Sequence, residues 1–187
     1  MVAAGLLCAA GMAHPSGTLR SQYPGVVRVF ITATAYRRRA AFRDASVAEH
    51  IISELLRTSQ AARVEVSAYC VMPDHVHILL AGLSEDACVP LAILRWKQAT
   101  GYWYRKQRIE RLWEPNYWDR ALRQRDHSRT ILEYMLSDPL RSGLVQCLED
   151  YPFIGSVRWT RRELIEFGQA GFARRGFSIR SVPEWPG

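Results

Sequence analysis

The chain has 187 residues, of which 48% are hydrophobic and 23% charged, proportions typical of a folded one-domain protein rather than a disordered chain. Its net charge of +7 and isoelectric point near 9.6 favour a polyanionic partner, nucleic acid before membrane. The four cysteines have neither zinc-binding spacing nor the pattern of a disulfide framework, so we expect a protein of the reducing cytoplasm. The apolar stretch 1–13 is too short for a membrane span.

The first predicted element is a strand that follows a flexible N-terminal segment at residues 1–23. Apolar and polar residues alternate over Val26–Tyr36, which is the pattern of a strand with one buried face. Three consecutive arginines, 37–39, come directly after this strand. They are interpreted either as a solvated loop or as a clamp for phosphate groups.

A helix and a hairpin are predicted next. Ser46 and Glu49 form a capping box, so a helix should begin there and run to about Ser59. Val64–Val71 has the composition of a second strand, and a Met-Pro-Asp turn returns the chain as a third strand over His75–Ala81. These two strands should therefore be neighbours in an antiparallel sheet.

Two histidines flank one apolar residue in the third predicted strand. Because alternate residues of a strand face the same side, His75 and His77 should project from one face while Val76 points to the core. Two imidazoles held in this way can share a metal ion. The alternative is an ordinary strand with one solvated and one hydrogen-bonded histidine, and the dipeptide spacing alone does not decide between them.

The second half of the chain predicts a long helix, an edge strand and a third helix. Pro90 suits the first turn of the long helix, which could break at Gly101. Trp113–Leu122 could form a fourth strand, and Pro115 restricts that strand to the edge of a sheet. The third helix should end at Pro139.

The order of these elements predicts an α+β fold. Strand, helix, strand, strand, helix, strand is the order of a ferredoxin-like antiparallel sheet of about four strands with two helices on one face. The other face is open for the histidines and the third helix. This domain should span residues 24–156, with a loop at Tyr151–Ser156. Residues 157–187 should add a short helix at Trp159–Phe167 and a poorly packed tail at Gly168–Gly187.

A basic and aromatic segment extends from Arg95 to Arg129. It holds ten basic residues against four acidic ones, together with seven tryptophans and tyrosines. Such interleaving suits a surface that follows a nucleic-acid backbone and stacks unpaired bases. The alternative is a solvated helix face over an aromatic core, but the clustering of charge favours nucleic acid. The residues predicted to bind nucleic acid are Arg37, Arg38, Arg39, Arg95, Lys97, Arg105, Lys106, Arg120, Arg123 and Arg141.

Tyr134 and Asp138 lie off the apolar stripe of the third predicted helix. At 100° per residue they fall roughly 130° and 90° from the centre of that stripe, and their spacing of four residues makes them neighbours. A phenol beside a carboxylate and a two-histidine metal site has the parts for phosphodiester chemistry, in which the phenolate attacks phosphorus. On the residues alone, a surface tyrosine of an amphipathic helix is the simpler explanation.

Three segments resemble one known family. Met-Pro-Asp-His-Val-His-Ile-Leu-Leu at 72–80 resembles the HUH motif of the single-tyrosine, insertion-sequence-200-like transposases. The Leu-Trp-Glu and Tyr-Trp-Asp-Arg stretches within 112–120, and the segment 134–145, are similar to later motifs of that family in order and spacing. The group that these motifs resemble is the REP-associated tyrosine transposases, whose Tyr-Pro-x-x-Ser stretch is similar to residues 151–156. The resemblance covers about residues 24–156.

The resemblance implies an HUH nuclease in which His75 and His77 hold magnesium or manganese, with Asp138 as a third ligand, where relatives normally carry asparagine or glutamine. The counterpart of Tyr134 is the nucleophile of the family. The chain would cut single-stranded DNA with hairpin-forming or palindromic repeats through a 5′-phosphotyrosine link, and the free 3′-OH would allow strand joining. It would act as a monomer or homodimer, without a membrane partner.

Two other functions remain open from the sequence. A catalytically weak or domesticated protein would bind repeat DNA without cutting it, and the departure at Asp138 is compatible with this. In a different class, two histidines and one carboxylate could form the iron site of an oxygenase that does not act on DNA. The basic and aromatic segment and the ordered family motifs argue against the oxygenase.

Overall fold

The computed structural model describes residues 27–122 and 125–174, with the side chains of 125–127 left out. The predictions for residues 1–23, for Arg123 and for the tail after Arg174 lie outside the described residues. None of the helices in the described ranges has the length and apolar character needed to cross a membrane. The elements are β1 (Arg28–Thr34), α1 (Ala45–Ala61), β2 (Val64–Val71), β3 (His75–Gly82), α2 (Val89–Arg108), β4 (Trp118–Leu122), α3 (Arg125–Leu136), α4 (Asp138–Arg141), β5 (Ile154–Gly155) and α5 (Arg161–Arg174).

The strands form one antiparallel sheet in the order β4-β1-β3-β2-β5. This arrangement confirms the predicted α+β class, the β2–β3 hairpin and the edge position of β4. The fifth strand lies where a loop was expected, at Ile154–Gly155, because its backbone pairs with Tyr69 and Cys70 of β2. Gly155 allows the close approach, since a Cβ atom there would lie 2.2 Å from Tyr69 Oη.

The sheet separates two apolar cores. On one face, Val76, Ile78 and Leu80 of β3 pack in the core that α1 and α2 cover. On the other face, Leu79 lies in the core formed with α3 and α5. Because side chains alternate along a strand, the two histidines of β3 lie on the α3 side of the sheet. This is the open face predicted from the order of the elements.

The two helices of the first core differ in detail from the expectation. The N-cap of α1 is Asp44, whose Oδ1 accepts a hydrogen bond from the backbone N–H of Ser46 at 3.0 Å, so the helix begins just before the predicted capping box. The second helix, α2, continues through Gly101 without a break. There Trp113 packs against the helix and donates from Nε1 to Thr100 Oγ1 at 2.8 Å.

The chain after α4 is tied to β2. The hydroxyl of Tyr151 donates to the carbonyl oxygen of Val71 at 2.5 Å, and the hydroxyl of Ser156 donates to the carbonyl oxygen of Ser67 at 2.6 Å. Tyr151 and Ser156 are the residues that resemble the Tyr-Pro-x-x-Ser stretch of the family, although three residues rather than two separate the proline from the serine in this chain. Their contacts give that stretch a structural role.

The last helix, α5, packs closely against α3. Gly168 and Gly171 face α3, and a Cβ atom on Gly171 would lie 2.1 Å from the carbonyl oxygen of Glu133. The expectation of a short helix with a poorly packed tail is therefore wrong as far as Arg174, because the helix continues to that residue and Phe172 is buried. Glycine reads as a helix breaker in sequence, but here it permits the contact between two backbones.

Candidate active site

Three side chains from β3 and α4 meet on the α3 side of the sheet. The Nε2 atoms of His75 and His77 lie 3.2 Å apart, and each lies 3.2 Å from Oδ2 of Asp138. His77 and Asp138 are buried, whereas His75 is partly exposed. Among the described residues, these three form the group of side chains that could hold a metal ion. These are the three residues expected as metal ligands from the sequence and its family resemblance.

The chemistry and spacing of these donors fit a divalent cation. Around an octahedral ion with bonds of about 2.1 Å, neighbouring ligand atoms lie about 3 Å apart. The separations between the donor atoms of His75, His77 and Asp138 are close to that value, at 3.2 Å. The spacing of these three donors therefore suits an ion of the size of magnesium or manganese.

Each histidine has a partner on its Nδ1 atom. Oδ1 of Asp74 lies 2.6 Å from Nδ1 of His75, and an ionised carboxylate can only accept, so this Nδ1 carries the proton and Nε2 turns to the site. Oγ1 of Thr32 lies 2.9 Å from Nδ1 of His77. The sequence alone does not single out these partners, although a carboxylate directly before the first histidine is a signal. Thr32 follows only from the register that pairs it with His77.

The charges in the triangle favour an ionised carboxylate. Burial opposes ionisation of Asp138, but hydrogen bonds with His75 and His77 and the charge of Arg141 hold its pKa below the ordinary value. Burial lowers the pKa of His77. Burial acts in the same direction on His75, but hydrogen bonds to Asp138 and Asp74 outweigh it and raise the pKa of that imidazole. A metal ion would replace the hydrogen bonds that Asp138 makes with Nε2 of His75 and of His77.

Arg141 connects Asp138 to Tyr134. Its Nη2 donates to Oδ1 of Asp138 at 2.5 Å, which is the oxygen that does not face the histidines. The guanidinium carbon lies 4.3 Å from the centre of the Tyr134 ring. This arginine was predicted to bind nucleic acid, and the structure places it inside the candidate active site rather than on an outer surface.

Tyr134 stands beside the triangle. Its ring centre lies 5.7 Å from that of His77, and Phe30 packs edge-on against it with ring centres 6.4 Å apart. Phe30 also stacks on His77 at 5.4 Å. The neighbouring Met135 is fully buried in the core below α3, which holds the tyrosine on the side that faces the histidines. The structure thus brings together the tyrosine and the candidate metal ligands that the sequence analysis combines.

The three arginines after β1 that were predicted to bind nucleic acid form a turn. This turn lies at the end of the sheet that carries the candidate site. Arg37 and Arg38 have positive φ angles of 56° and 51°, an uncommon backbone conformation for residues other than glycine. Nη1 of Arg38 lies 3.3 Å from Oδ2 of Asp74, the carboxylate that contacts His75, and Arg39 pairs with Glu110. Two of these guanidiniums are therefore engaged with carboxylates in the protein.

The residues of α2 that are predicted to bind nucleic acid lie on the opposite side of the sheet from the candidate active site. Arg95, Arg105 and Lys106 are exposed there. Lys97 is different, because its ammonium donates to the carbonyl oxygens of Glu114 at 2.8 Å and Asn116 at 3.0 Å. Burial and the charge of a nearby arginine lower the pKa of Lys97 to about 8. The structure gives Lys97 a role in holding the loop before β4.

The basic and aromatic segment divides into buried and exposed parts. Trp96 and Trp113 are buried in the core below α2, as the interpretation of an aromatic core predicts. Tyr102 and Trp118 are 64% and 54% exposed, as a surface that stacks bases requires. The interpretation as an aromatic core is therefore confirmed for Trp96 and Trp113, whereas base stacking by Tyr102 and Trp118 stays a prediction. Arg120 is also exposed, on β4.

A comparison with protein families separates the transposase from the oxygenase among the functional classes left open by the sequence. The model for the family "Transposase IS200 like" matches residues 26–135, more than half of the chain. The chain belongs to the IS200-like transposase family. The matched region contains both histidines and Tyr134 but ends before Asp138. Membership of this family of DNA-cleaving and DNA-joining enzymes argues against the iron oxygenase.

Two relatives agree with the expected group of IS200-like transposases. The chain is 23% identical to the REP-associated tyrosine transposase of Escherichia coli (strain K12) over 117 residues. The aligned region covers 63% of this chain and 69% of that protein. The solved structure of a REP-associated tyrosine transposase bound to a REP hairpin is similar in fold, with a TM-score of 0.62 at 19% identity. That similarity covers 94% of this chain and 92% of the other. The resemblance noted in the sequence is confirmed.

Proposed function

We propose that this IS200-like transposase cuts and rejoins single-stranded DNA that carries hairpin-forming repeats, with Tyr134 as the nucleophile. The observation that carries the proposal is the position of the Tyr134 ring, 5.7 Å from the His77 ring at the edge of the three-donor triangle. Family membership supports the reaction class. The hairpin bound in the related solved structure supports the class of substrate.

In the proposed reaction, the hydroxyl oxygen of Tyr134 forms a bond to the phosphorus of one phosphodiester and gives up one proton, while the departing 3′ oxygen gains one. The bond from that phosphorus to the 3′ oxygen breaks, so the tyrosine becomes joined to the 5′ phosphate and a 3′-OH is released. Attack by a 3′-OH on this phosphotyrosine reverses both changes, joins the strands and restores the tyrosine. A magnesium or manganese ion held by His75, His77 and Asp138 would withdraw charge from the scissile phosphate.

The side chains around these residues have positioning roles in the proposal. Asp74 and Thr32 orient the two imidazoles through their Nδ1 atoms. Arg141 neutralises the outer oxygen of Asp138 and covers the Tyr134 ring, so one guanidinium fixes both a metal ligand and the nucleophile. Whether the protein acts as a monomer or a homodimer stays a prediction.

The experiment uses hairpin DNA with single-stranded flanks, Mn²⁺ and denaturing electrophoresis. DNA labelled at its 3′ end should migrate as a covalent adduct with the protein, whereas DNA labelled at its 5′ end should give a shorter free strand. Tyr134→Phe should abolish both products. The proposal is wrong if no adduct survives denaturation, or if the phenylalanine variant forms it equally.

A DNA-binding protein without cleavage activity is the second candidate. The observation that favours it is the carboxylate of Asp138, which is paired with Arg141 at the position where the family resemblance leads us to expect an amide. The same assay separates the two functions. Binding of the hairpin DNA without a covalent adduct, in Mn²⁺ and in Mg²⁺, would support this candidate.

A further inference from the structure

An exposed tryptophan lies at the edge of the sheet beside the candidate active site. Trp118 is the first residue of β4 and is 54% exposed. Tryptophan is usually largely buried, so an exposed indole ring calls for an explanation. The other large aromatic side chain that is strongly exposed in the described ranges is Tyr102, which lies on α2 on the reverse side of the sheet.

The register of the sheet places Trp118 on the same face as the histidines. Trp118 is paired with Thr32 of β1, and Thr32 is paired with His77 of β3. Directly paired residues share a face, so the three side chains form one row across the sheet. Two strand spacings of about 4.8 Å separate Trp118 from His77, a distance that a few nucleotides of an extended strand can span.

Aromatic contacts connect Trp118 to the site along this row. The Trp118 ring packs edge-on against Phe30, with ring centres 5.8 Å apart. Phe30 in turn contacts the rings of His77 and Tyr134. One side of the indole is thus held by the protein, and the rest is available for a partner next to the nucleophile.

Arg120 adds a positive charge to this surface. It is exposed, and its pairing with Phe30 places it on the same face as Trp118, two residues further along β4. An exposed aromatic ring beside a guanidinium is the combination that holds single-stranded nucleic acid, since the ring stacks on a base and the cation contacts the backbone.

We propose that Trp118 stacks on an unpaired base of the substrate DNA next to the phosphodiester that Tyr134 cuts, while Arg120 contacts the adjoining backbone. This inference rests on the proposed function and deepens it, because it assigns the single-stranded flank of the substrate to β4. Trp118 thereby determines how the strand enters the site, without taking part in the bond changes.

The test uses the full-length protein with hairpin DNA whose flanks carry 2-aminopurine at one position at a time. The Tyr134→Phe background prevents cleavage from changing the signal. Binding should quench the fluorescence at one flank position, and Trp118→Leu should remove that quenching and weaken affinity roughly 5- to 150-fold, the range for losing one stacked base. Trp118→Phe keeps an aromatic face and should retain most of both effects. Tyr102→Leu, on the reverse side of the sheet, should leave the quenching at that position intact.

The outcomes separate this inference from the proposed function. If the parent protein forms the covalent adduct but Trp118→Leu binds and quenches like the parent, the inference is overturned and the function stands. If the parent forms no adduct and does not bind the flanked hairpin, both are overturned. A change from dimer to monomer on sedimentation of Trp118→Leu, with DNA binding unchanged, would assign the tryptophan to an interface between two copies and overturn the inference.

Discussion

The guanidinium of Arg141 covers the ring of Tyr134, with its central carbon 4.3 Å from the ring centre. The same group donates to Oδ1 of Asp138, so the candidate nucleophile and a candidate metal ligand share one partner. Cation–π contacts contribute about 2 kcal/mol where the cation is removed from water, and the Arg141 side chain is only 15% exposed. The contact should therefore fix the direction of the phenol.

Arg141→Gln should slow formation of the covalent adduct by at least about tenfold, because a charge-assisted hydrogen bond and the cation over the ring are lost together. The rate is measured by denaturing electrophoresis under single-turnover conditions. Arg141→Lys, which keeps the charge but loses the planar fork, should lie between glutamine and the parent. An unchanged rate in Arg141→Gln would contradict the positioning role.

His77→Ala should reduce Mn²⁺ binding in the absence of DNA below detection by isothermal titration calorimetry, because two of the three donors cannot close the triangle. His75→Ala should have the same effect. His50 provides a matched control, since it stacks on Trp103 at 3.9 Å between α1 and α2, away from the site. Parental affinity in His77→Ala would place the ion elsewhere.

Asp74→Asn should weaken Mn²⁺ binding by about 10- to 100-fold, the usual effect of losing the partner that orients a histidine ligand. The physical reason is that a carboxylate can only accept from Nδ1 of His75, whereas an amide can also donate and so favour the wrong tautomer. Nitrogen NMR of the imidazoles in the metal-free protein reports the tautomer directly. If His75 keeps its Nδ1 proton and the affinity is unchanged, Asp74 has no such role.

Gly171→Ala should destabilise the protein by about 1–3 kcal/mol in urea denaturation, because the new Cβ atom would lie 2.1 Å from the carbonyl oxygen of Glu133. Gly101→Ala is the matched control, since its Cβ atom would lie 3.7 Å from Trp113 Cδ1, an ordinary contact. That substitution should stabilise the protein by about 0.5–1 kcal/mol through helix propensity. Equal signs for the two variants would contradict the close packing of α5 on α3.

The affinity for single-stranded DNA should fall steeply with salt. The slope of log affinity against log salt is negative, and each phosphate contact contributes about 0.7 to its magnitude for single strands. Arg120→Gln should therefore make the slope shallower by about 0.7. Lys97→Gln should leave the slope unchanged, because its ammonium is occupied by backbone carbonyls. Fluorescence anisotropy at several salt concentrations measures both slopes. A flat slope in the parent protein would contradict the prediction that the arginines and lysines of this chain bind nucleic acid.

Local patterns in the sequence were sufficient for β2, β3 and the shared face of the two histidines. Alternation along a strand is a property of the backbone, so His75 and His77 share a side wherever that strand lies. The approach of Asp138 to them depends on how α3 and α4 pack across the sheet. The resemblance to a family supplied that proximity, because helix periodicity could place Asp138 only off an apolar stripe.

Other parts of the site depend on contacts that a sequence pattern does not contain. Thr32 and Trp118 acquire their positions from the pairing of three strands, and no local signal encodes that register. In the sequence, Lys97 is simply one more positive charge. In the fold, its ammonium donates a hydrogen bond to a backbone carbonyl of the loop before β4. The glycines of α5 lower helix propensity, and only the presence of α3 beside them explains why a helix forms there.

Thr32 of β1 pairs with His77 of β3 on one side and with Trp118 of β4 on the other, so this one residue aligns a candidate metal ligand with the exposed tryptophan. A deletion of a single residue in β1 before Thr32 would turn the following side chains of that strand to the opposite face. The partner of His77 and the alignment with Trp118 would then be lost together, although neither residue had been altered. Variation within this family should therefore tolerate changes of side chain in β1 far better than changes of its length.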